Sequence, residues 1–489
     1  MRIHCYRRSA CGAVLAMLGA LPAAPVQESP ARETAVSVSI DTRNPGAEIP
    51  ADFAGLSFET EMLLPGKGGT HYFNASNEAL LRTFRNLGIR SLRIGGNTAD
   101  VPSIPVPGPV DVDSAFAFAG AAGAKVIFTF RLRAGGPQDT APLARHIMDR
   151  YRSQVTCFAI GNEPDVYAKT YPTYRAELKR YMEAFADLGG GAQARFCGPG
   201  TTPSKAEWAR EFAADFGHST QIALVTQHAY PGGSGRKVAD AAMGRSAMLS
   251  TGWVESYERF YQSFVPTVEA QQERYRIEET NSFYNGGAKD VSDTFAAALW
   301  GLDYMHWWAI HGAAGINFHT GDRVAAGDES TPCYYAVFLS SGADYAIQPL
   351  GYAMKAFDLG GHGRIVPVRV ESGVSTLNVT AYAVSAAGTL YLTVINKENG
   401  PTARNALVSI NLRTAYNRAA IVRLEAPHND IAAKDGLSLG DSRIEENAVW
   451  KGRWQTVEYK RGNGGFVVAI PASSAAILKF TGAGPAQMH

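Results

Sequence analysis

Two glutamates directly follow apolar, strand-like runs. Glu163 stands in Gly161-Asn-Glu-Pro-Asp165, after Val155-Thr-Cys-Phe-Ala-Ile160. Glu279 stands in Glu278-Glu-Thr-Asn-Ser282, after Tyr275-Arg-Ile277. Two carboxyl groups on facing strands suit the cleavage of a glycosidic bond, where one protonates the leaving oxygen while the other attacks the anomeric carbon. Asn162 adds an amide able to hydrogen-bond a sugar 2-hydroxyl, a contact that strengthens as the oxocarbenium-like transition state forms. A single glutamate at a strand end is more commonly a solvated terminus. The Asn-Glu-Pro setting and the second acidic strand end set this pair apart.

Such a pair needs a scaffold that brings distant strand ends together. Eight apolar runs alternate with amphipathic stretches: Phe53–Phe58, Ser91–Ile94, Lys125–Phe130, Val155–Ile160, Arg195–Cys197, Ile222–Thr226, Tyr275–Glu279 and Gly315–His319. Between them, Asn77–Leu87, Thr173–Leu188, Ala206–Phe216, Gly252–Phe264 and Ser292–His311 repeat apolar residues at helical spacing. Strands too apolar for a wet face, alternating with helices, predict an α/β fold, a (β/α)8 TIM barrel over 51–360. Its active site is expected at the C-terminal strand ends, where both glutamates stand. Beyond 361 the runs shorten and alternate, which predicts a β-sandwich over 361–489. The segment 28–50 contains Ala35-Val-Ser-Val-Ser-Ile-Asp41, of the same period, and is expected to join that sandwich, because a closed barrel offers no edge.

The 489 residues carry a formal charge of +1 and no basic run, so no field draws nucleic acid or an anionic membrane. Arg2, Arg7 and Arg8 precede the apolar stretch Gly12–Leu21, and small residues follow, the pattern of a secretion signal over 1–27 and hence of a secreted or periplasmic protein. Of the five cysteines, Cys157, Cys197 and Cys333 lie beyond that signal without metal-ligand spacing. Their apolar settings favour buried free thiols, with a Cys157–Cys197 bond open only if their strands are neighbours.

The pairing of Asn162-Glu163-Pro164 with Glu279 resembles the retaining glycoside hydrolases of clan A. The run Glu279-Thr-Asn-Ser-Phe-Tyr284-Asn-Gly286-Gly287 resembles family 79, which includes heparanase and microbial β-glucuronidases. The resemblance implies Glu163 as acid/base and Glu279 as nucleophile. Glu278 is the rival, but strand alternation lets only one of the two face the barrel axis, and the family has its glutamate directly before threonine. It further implies that His228 orients the nucleophile, with Tyr230 bonding near it, and that Glu59 binds sugar hydroxyls. Asn97, after Gly95-Gly96, stands where heparanase carries threonine. Tyr284, Gly286, Gly287 and Tyr334 are expected to hold a uronic carboxylate through backbone N–H groups and hydroxyl donors, with Tyr335 an equal candidate beside Tyr334.

The expected reaction is double displacement, releasing terminal β-linked glucuronic acid from a glycan or glycoside, with no metal or organic cofactor. Missing basic clusters favour exo action over an endo-acting heparanase-like mode, and the loops Pro231–Ser250 and Gly321–Pro332 are long enough to wall a pocket. An arabinofuranosidase or xylosidase of the clan, or a non-catalytic carbohydrate binder on this fold, are the other readings. Oligomeric state is not encoded in any of these features.

Overall fold

A computed structural model describes residues 32–66, 68–186, 188, 193–323, 332–412, 416–460 and 465–483. The expected export segment and most of the 321–332 loop lie outside the described residues. Eight parallel strands close into a barrel: Ala54–Glu59, Ser91–Gly95, Lys125–Phe130, Val155–Ile160, Phe196–Pro199, Ile222–Ala229, Tyr275–Thr280 and Ile316–His319. The strand Ala54–Glu59 is buried throughout, as expected of a parallel strand covered on both faces. Around them pack helices such as Glu78–Asn86, which buries Leu80, Leu81 and Phe84 on one side. The Asn77 side chain caps this helix by accepting from the Leu80 N–H at 3.1 Å.

Two further sheets stack into the sandwich. In one, Glu33–Ile40 runs parallel to Asn405–Leu412 and antiparallel to Val368–Ser372, so the N-terminal strand does enter this layer. The other holds Val379–Ala386, Thr389–Asn396, Tyr416–Glu425 and Ser474–Ala483. Val36, Val38 and Ile40 meet Leu392, Val394 and Leu478 in the core between them. Arg364–Val366 and Val368–Ser372 are separate strands, broken at Pro367, which has no N–H to continue a ladder.

The cysteine expectation is overturned. Cys157 and Cys197 form a disulfide, with Cα atoms 5.7 Å apart, because the fourth and fifth barrel strands are direct neighbours. Each thiol lies on a buried run, but only barrel closure places the two runs side by side. Cys333 remains a buried thiol.

The helix Phe295–Ile310 is buried along nearly its whole length, between the barrel and the second domain. Its Asp303 accepts from Lys397 Nζ at 2.7 Å, Thr380 Oγ1 at 2.6 Å and the Tyr382 hydroxyl at 2.8 Å, all from the sandwich. This ion pair is almost fully dry. Asp303→Ala should therefore destabilise the protein by about 3–5 kcal/mol in urea unfolding, because Lys397 would be left charged without a partner. The double variant D303L/K397M should recover much of that loss. An unchanged urea midpoint in the single variant would show that the pair does not bind the two domains together.

Candidate active site

The strand ends at the C-terminal mouth of the barrel surround a cavity of about 540 Å³. Glu59, Asn97, Glu163, Tyr230, Glu279, Tyr284, Gly286 and His319 all line it. One oxygen of Glu163, one of Glu279 and a ring nitrogen of His228 lie within 4.8 Å of one another. So short a spacing is on the side of a carboxyl pair that acts directly on one anomeric centre, and below what an inverting pair needs.

Each of these side chains is fixed from behind. Glu163 takes a left-handed backbone, φ 45°, which a non-glycine residue adopts only when its surroundings hold it there. Its N–H donates to the Gly200 carbonyl at 3.1 Å. Asn162 is anchored through its N–H to Asp100 Oδ2 at 2.7 Å, and its Oδ1 accepts from Arg93 Nη2 at 2.7 Å. Asn97 stands exposed at the rim, its Oδ1 3.4 Å from Asn162 Nδ2. Glu59 accepts from the Thr98 N–H at 2.9 Å and its hydroxyl at 2.7 Å. Gly96, φ 70°, explains the glycine pair: a Cβ there would meet Glu59 Oε1 at 2.6 Å.

Glu279 accepts the Tyr230 hydroxyl at 2.8 Å and an N–H of Arg93, which also donates to Ser57 Oγ at 3.0 Å. His228 differs from its expected role. Its Nδ1 lies 3.1 Å from Glu163 Oε1 and 3.8 Å from Glu279 Oε1, so its hydrogen bond goes to Glu163 and not to the other carboxylate. Of the adjoining glutamates only Glu279 lines the cavity, and Glu278 is turned away from it, next to the far nitrogen of the His228 ring. The pairing register shifts between Gln227 and His228 and again between Ile277 and Thr280, so both glutamates approach the same imidazole.

Of the residues expected to hold a uronic carboxylate, the fold brings only some to the cavity. Tyr284 is exposed at the rim, its ring edge-on to Tyr230 at 6.1 Å. Gly286 lines the cavity, and its carbonyl accepts the Tyr334 N–H at 2.7 Å. Gly287 does not line it. A Cβ at Gly287 would lie 2.9 Å from Ser292 Cβ and 3.0 Å from the Tyr335 nitrogen, so this glycine serves close packing. Of the two tyrosines Tyr335 lines the cavity and Tyr334 does not.

Three residues were missed from sequence. Arg93 sits fully buried at the centre of the carboxylates. His319, at the end of the eighth strand, lies 3.1 Å from Ser57 Oγ and 3.3 Å from Glu59 Oε1. Arg323 adds a cationic side chain to the cavity wall. A histidine ending a barrel strand was the available signal for His319.

The surrounding charges bias the protonation states. Burial opposes ionisation of Glu279, but His228, His319 and Arg93, together with the Tyr230 hydroxyl, outweigh it and hold the carboxyl well below its usual range. Burial likewise disfavours the His228 imidazolium, yet Glu279, the hydrogen bond to Glu163 and the nearby Glu278 push it up to about 10. Tyr230 stays a donor, its pKa raised by burial and by the charge of Glu279. With Arg93 ion-paired to Glu279 and His228 protonated, the cluster is arranged to hold and move protons, and a dication would meet two fixed cations there.

The closed barrel with its appended sandwich is a fold shared with solved glycoside hydrolases. Residues 154–306 match the glycosyl hydrolase family 79, N-terminal domain. A β-glucuronidase of Aspergillus niger is 26% identical over 237 residues, 41% of each chain, so the match spans under half of that relative's length. A 4-O-α-L-rhamnosyl-β-D-glucuronidase from Fusarium oxysporum superposes with a TM-score of 0.70 at 19% identity, over 91% of this chain and 99% of that one. An arabinofuranosidase from Xanthomonas axonopodis gives 0.63 at 15% identity, over 92% and 100%.

Proposed function

We propose that the chain is a retaining β-glucuronidase that removes terminal glucuronic acid. The juxtaposition of Glu163 and Glu279 in one cavity carries this reading. Glu279, ionised, attacks the anomeric carbon as Glu163 gives its proton to the departing oxygen. Glu163 then takes a proton from the water that hydrolyses the glucuronyl ester, and the β configuration is retained. Arg93 and Tyr230 hold the attacking carboxylate in line, while Asn162 faces the 2-hydroxyl and Glu59 the remaining hydroxyls. Tyr284, Gly286, Tyr335 and Arg323 supply the donors and the positive charge that suit a uronic carboxylate. The N-terminal basic and apolar pattern supports export as the setting in which a glycan would be met.

A panel of chromogenic β-glucuronide, β-glucoside, β-xyloside and α-arabinofuranoside tests the assignment. The glucuronide should be preferred by roughly 100-fold or more, since a site built for an anionic group leaves its donors unpaired with a neutral sugar. Faster turnover of the arabinofuranoside would replace this reading with the other.

One observation favours a second mode. A cleft of about 1110 Å³, lined by Met62, Tyr72 and Asn77 among others, meets the cavity at Glu59, Thr320 and Arg323, and includes neither Glu163 nor Glu279. A sugar seated between the two carboxyls would have this cleft beyond Glu59, where a substituent or a further sugar would extend. Cleavage of an intact uronic-acid polysaccharide into oligosaccharides, in place of monosaccharide release, would establish that mode.

A further inference from the structure

Glu278 has no part in the reaction described above, yet it is 1% exposed and lies beside the carboxylate pair. Its Oε1 stands 3.8 Å from His228 Nε2, and its Oε2 has no hydrogen-bond partner among the described residues. The nearby guanidinium groups direct their hydrogen bonds elsewhere. Arg93 donates to Glu279, Asn162 and Ser57 and, at a longer 3.4 Å, points Nη2 at His228 Nε2, and Arg276 donates to Asn317 Oδ1 and to the carbonyls of Ala314, Asp52 and Phe53. His228 is thus the cation in closest contact with Glu278. A neutral side chain of similar shape would fill this space without the large desolvation cost of a buried carboxylate. The backbone is shaped around the group as well: Gly200, at φ 60°, has no Cβ to collide with Glu278 Oε1, and the same glycine's carbonyl holds the Glu163 N–H.

We propose that Glu278 is a positioning residue, which holds His228 as the imidazolium whose Nδ1–H supports Glu163. This rests on the assignment of Glu163 as acid/base. The groups facing His228 are Glu163 from the fourth strand end, Glu278 and Glu279 from the seventh, and Arg93 from the second, its Nη2 3.4 Å from Nε2. While Glu163 holds its proton, two carboxylates face the ring against one guanidinium, and removing Glu278 leaves one. When Glu163 releases its proton to the leaving oxygen, the resulting carboxylate meets a charged donor in place of a neutral one. When it takes a proton from water, the same contact weakens. No net proton is gained or lost over the cycle.

His228 sits above its ordinary value, so its proton is retained into alkaline solution. Removing the Glu278 charge lowers that value, and the proton is then lost at lower pH. E278Q should move the alkaline limb of kcat/KM for an aryl glucuronide down by about one pH unit or more, giving roughly tenfold loss on that limb and much less at pH ~5. In an H228Q background the same substitution should leave the limb where it is. An E278Q profile that superposes on the wild type, or one lowered equally at every pH with or without His228, overturns the proposal. A second measurement needs neither substrate nor the variant's folding. The ring ¹³C resonance of His228 in the wild-type protein should report imidazolium through neutral pH. A neutral ring at pH ~7 would overturn the proposal. If the ring is charged but no glucuronide is cleaved, the assigned activity is what has failed.

Discussion

Glu279→Gln should lower kcat on an aryl β-glucuronide by roughly 10⁴-fold or more, the scale on which removal of a covalent nucleophile acts. The amide keeps the shape of the carboxyl but has no charge to offer the anomeric carbon. Burst kinetics should disappear with it, because no glucuronyl ester forms. The variant will also be less stable, since Arg93, which is fully buried, loses its ion-pair partner and one of the Arg93 and Tyr230 donors must face an NH₂ group. A cooperative melt beside lost turnover is therefore the expected pair of results. Glu278→Gln is the informative control, because the two residues are adjacent and both buried. If E279Q kept its turnover and E278Q were dead at every pH, the nucleophile would be the wrong one of the two.

Why that choice is hard from sequence alone is a matter of register. Strand alternation is a strong rule where the ladder is regular, and it assigns consecutive residues to opposite faces. It does not say which of two adjoining glutamates faces inward, and with both edges of the seventh strand irregular only the folded register puts Glu279 in the cavity and leaves Glu278 out of it. The barrel strands themselves were legible because each is an apolar run buried on both faces, and the Lys125–Phe130 and Val155–Ile160 bounds fall where the sequence puts them. The strand Ser474–Ala483 was not, since its Ser-Ala-Ala start lacks the β-branched and aromatic residues that mark a strand. The helix predicted to end at Phe264 continues to Ala270, through Pro266, because the flanking Val265 and Val268 are fully buried and tertiary packing overrides the breaker. The disulfide, and the roles of Arg93 and His319, depend on which strands adjoin. Arg93 and Glu279 are 186 residues apart, and no local pattern records their meeting.

Arg93→Met is the substitution that tests this buried centre. Methionine keeps the length and apolar stem but removes the donors to Glu279, Asn162 and Ser57 together. Stability should fall by about 3–5 kcal/mol, the loss typical of leaving a buried charge unpaired. Turnover should fall by roughly 10²–10³-fold, comparable to removing one donor from a pre-organised electrostatic site. The pH profile separates the two effects. Glu279 is held below its ordinary range by His228, His319 and Arg93, so loss of the guanidinium raises it. The nucleophile then becomes protonated at higher pH, and the acid limb of kcat/KM moves upward. A purely structural role for Arg93 would lower activity without moving that limb. Arg93→Lys should rescue little, because one compact ammonium cannot serve Glu279 and Asn162 at once as a planar fork does. If lysine restored both the rate and the acid limb, charge alone would account for the site, and the geometry argued for Asn162 would have to be abandoned.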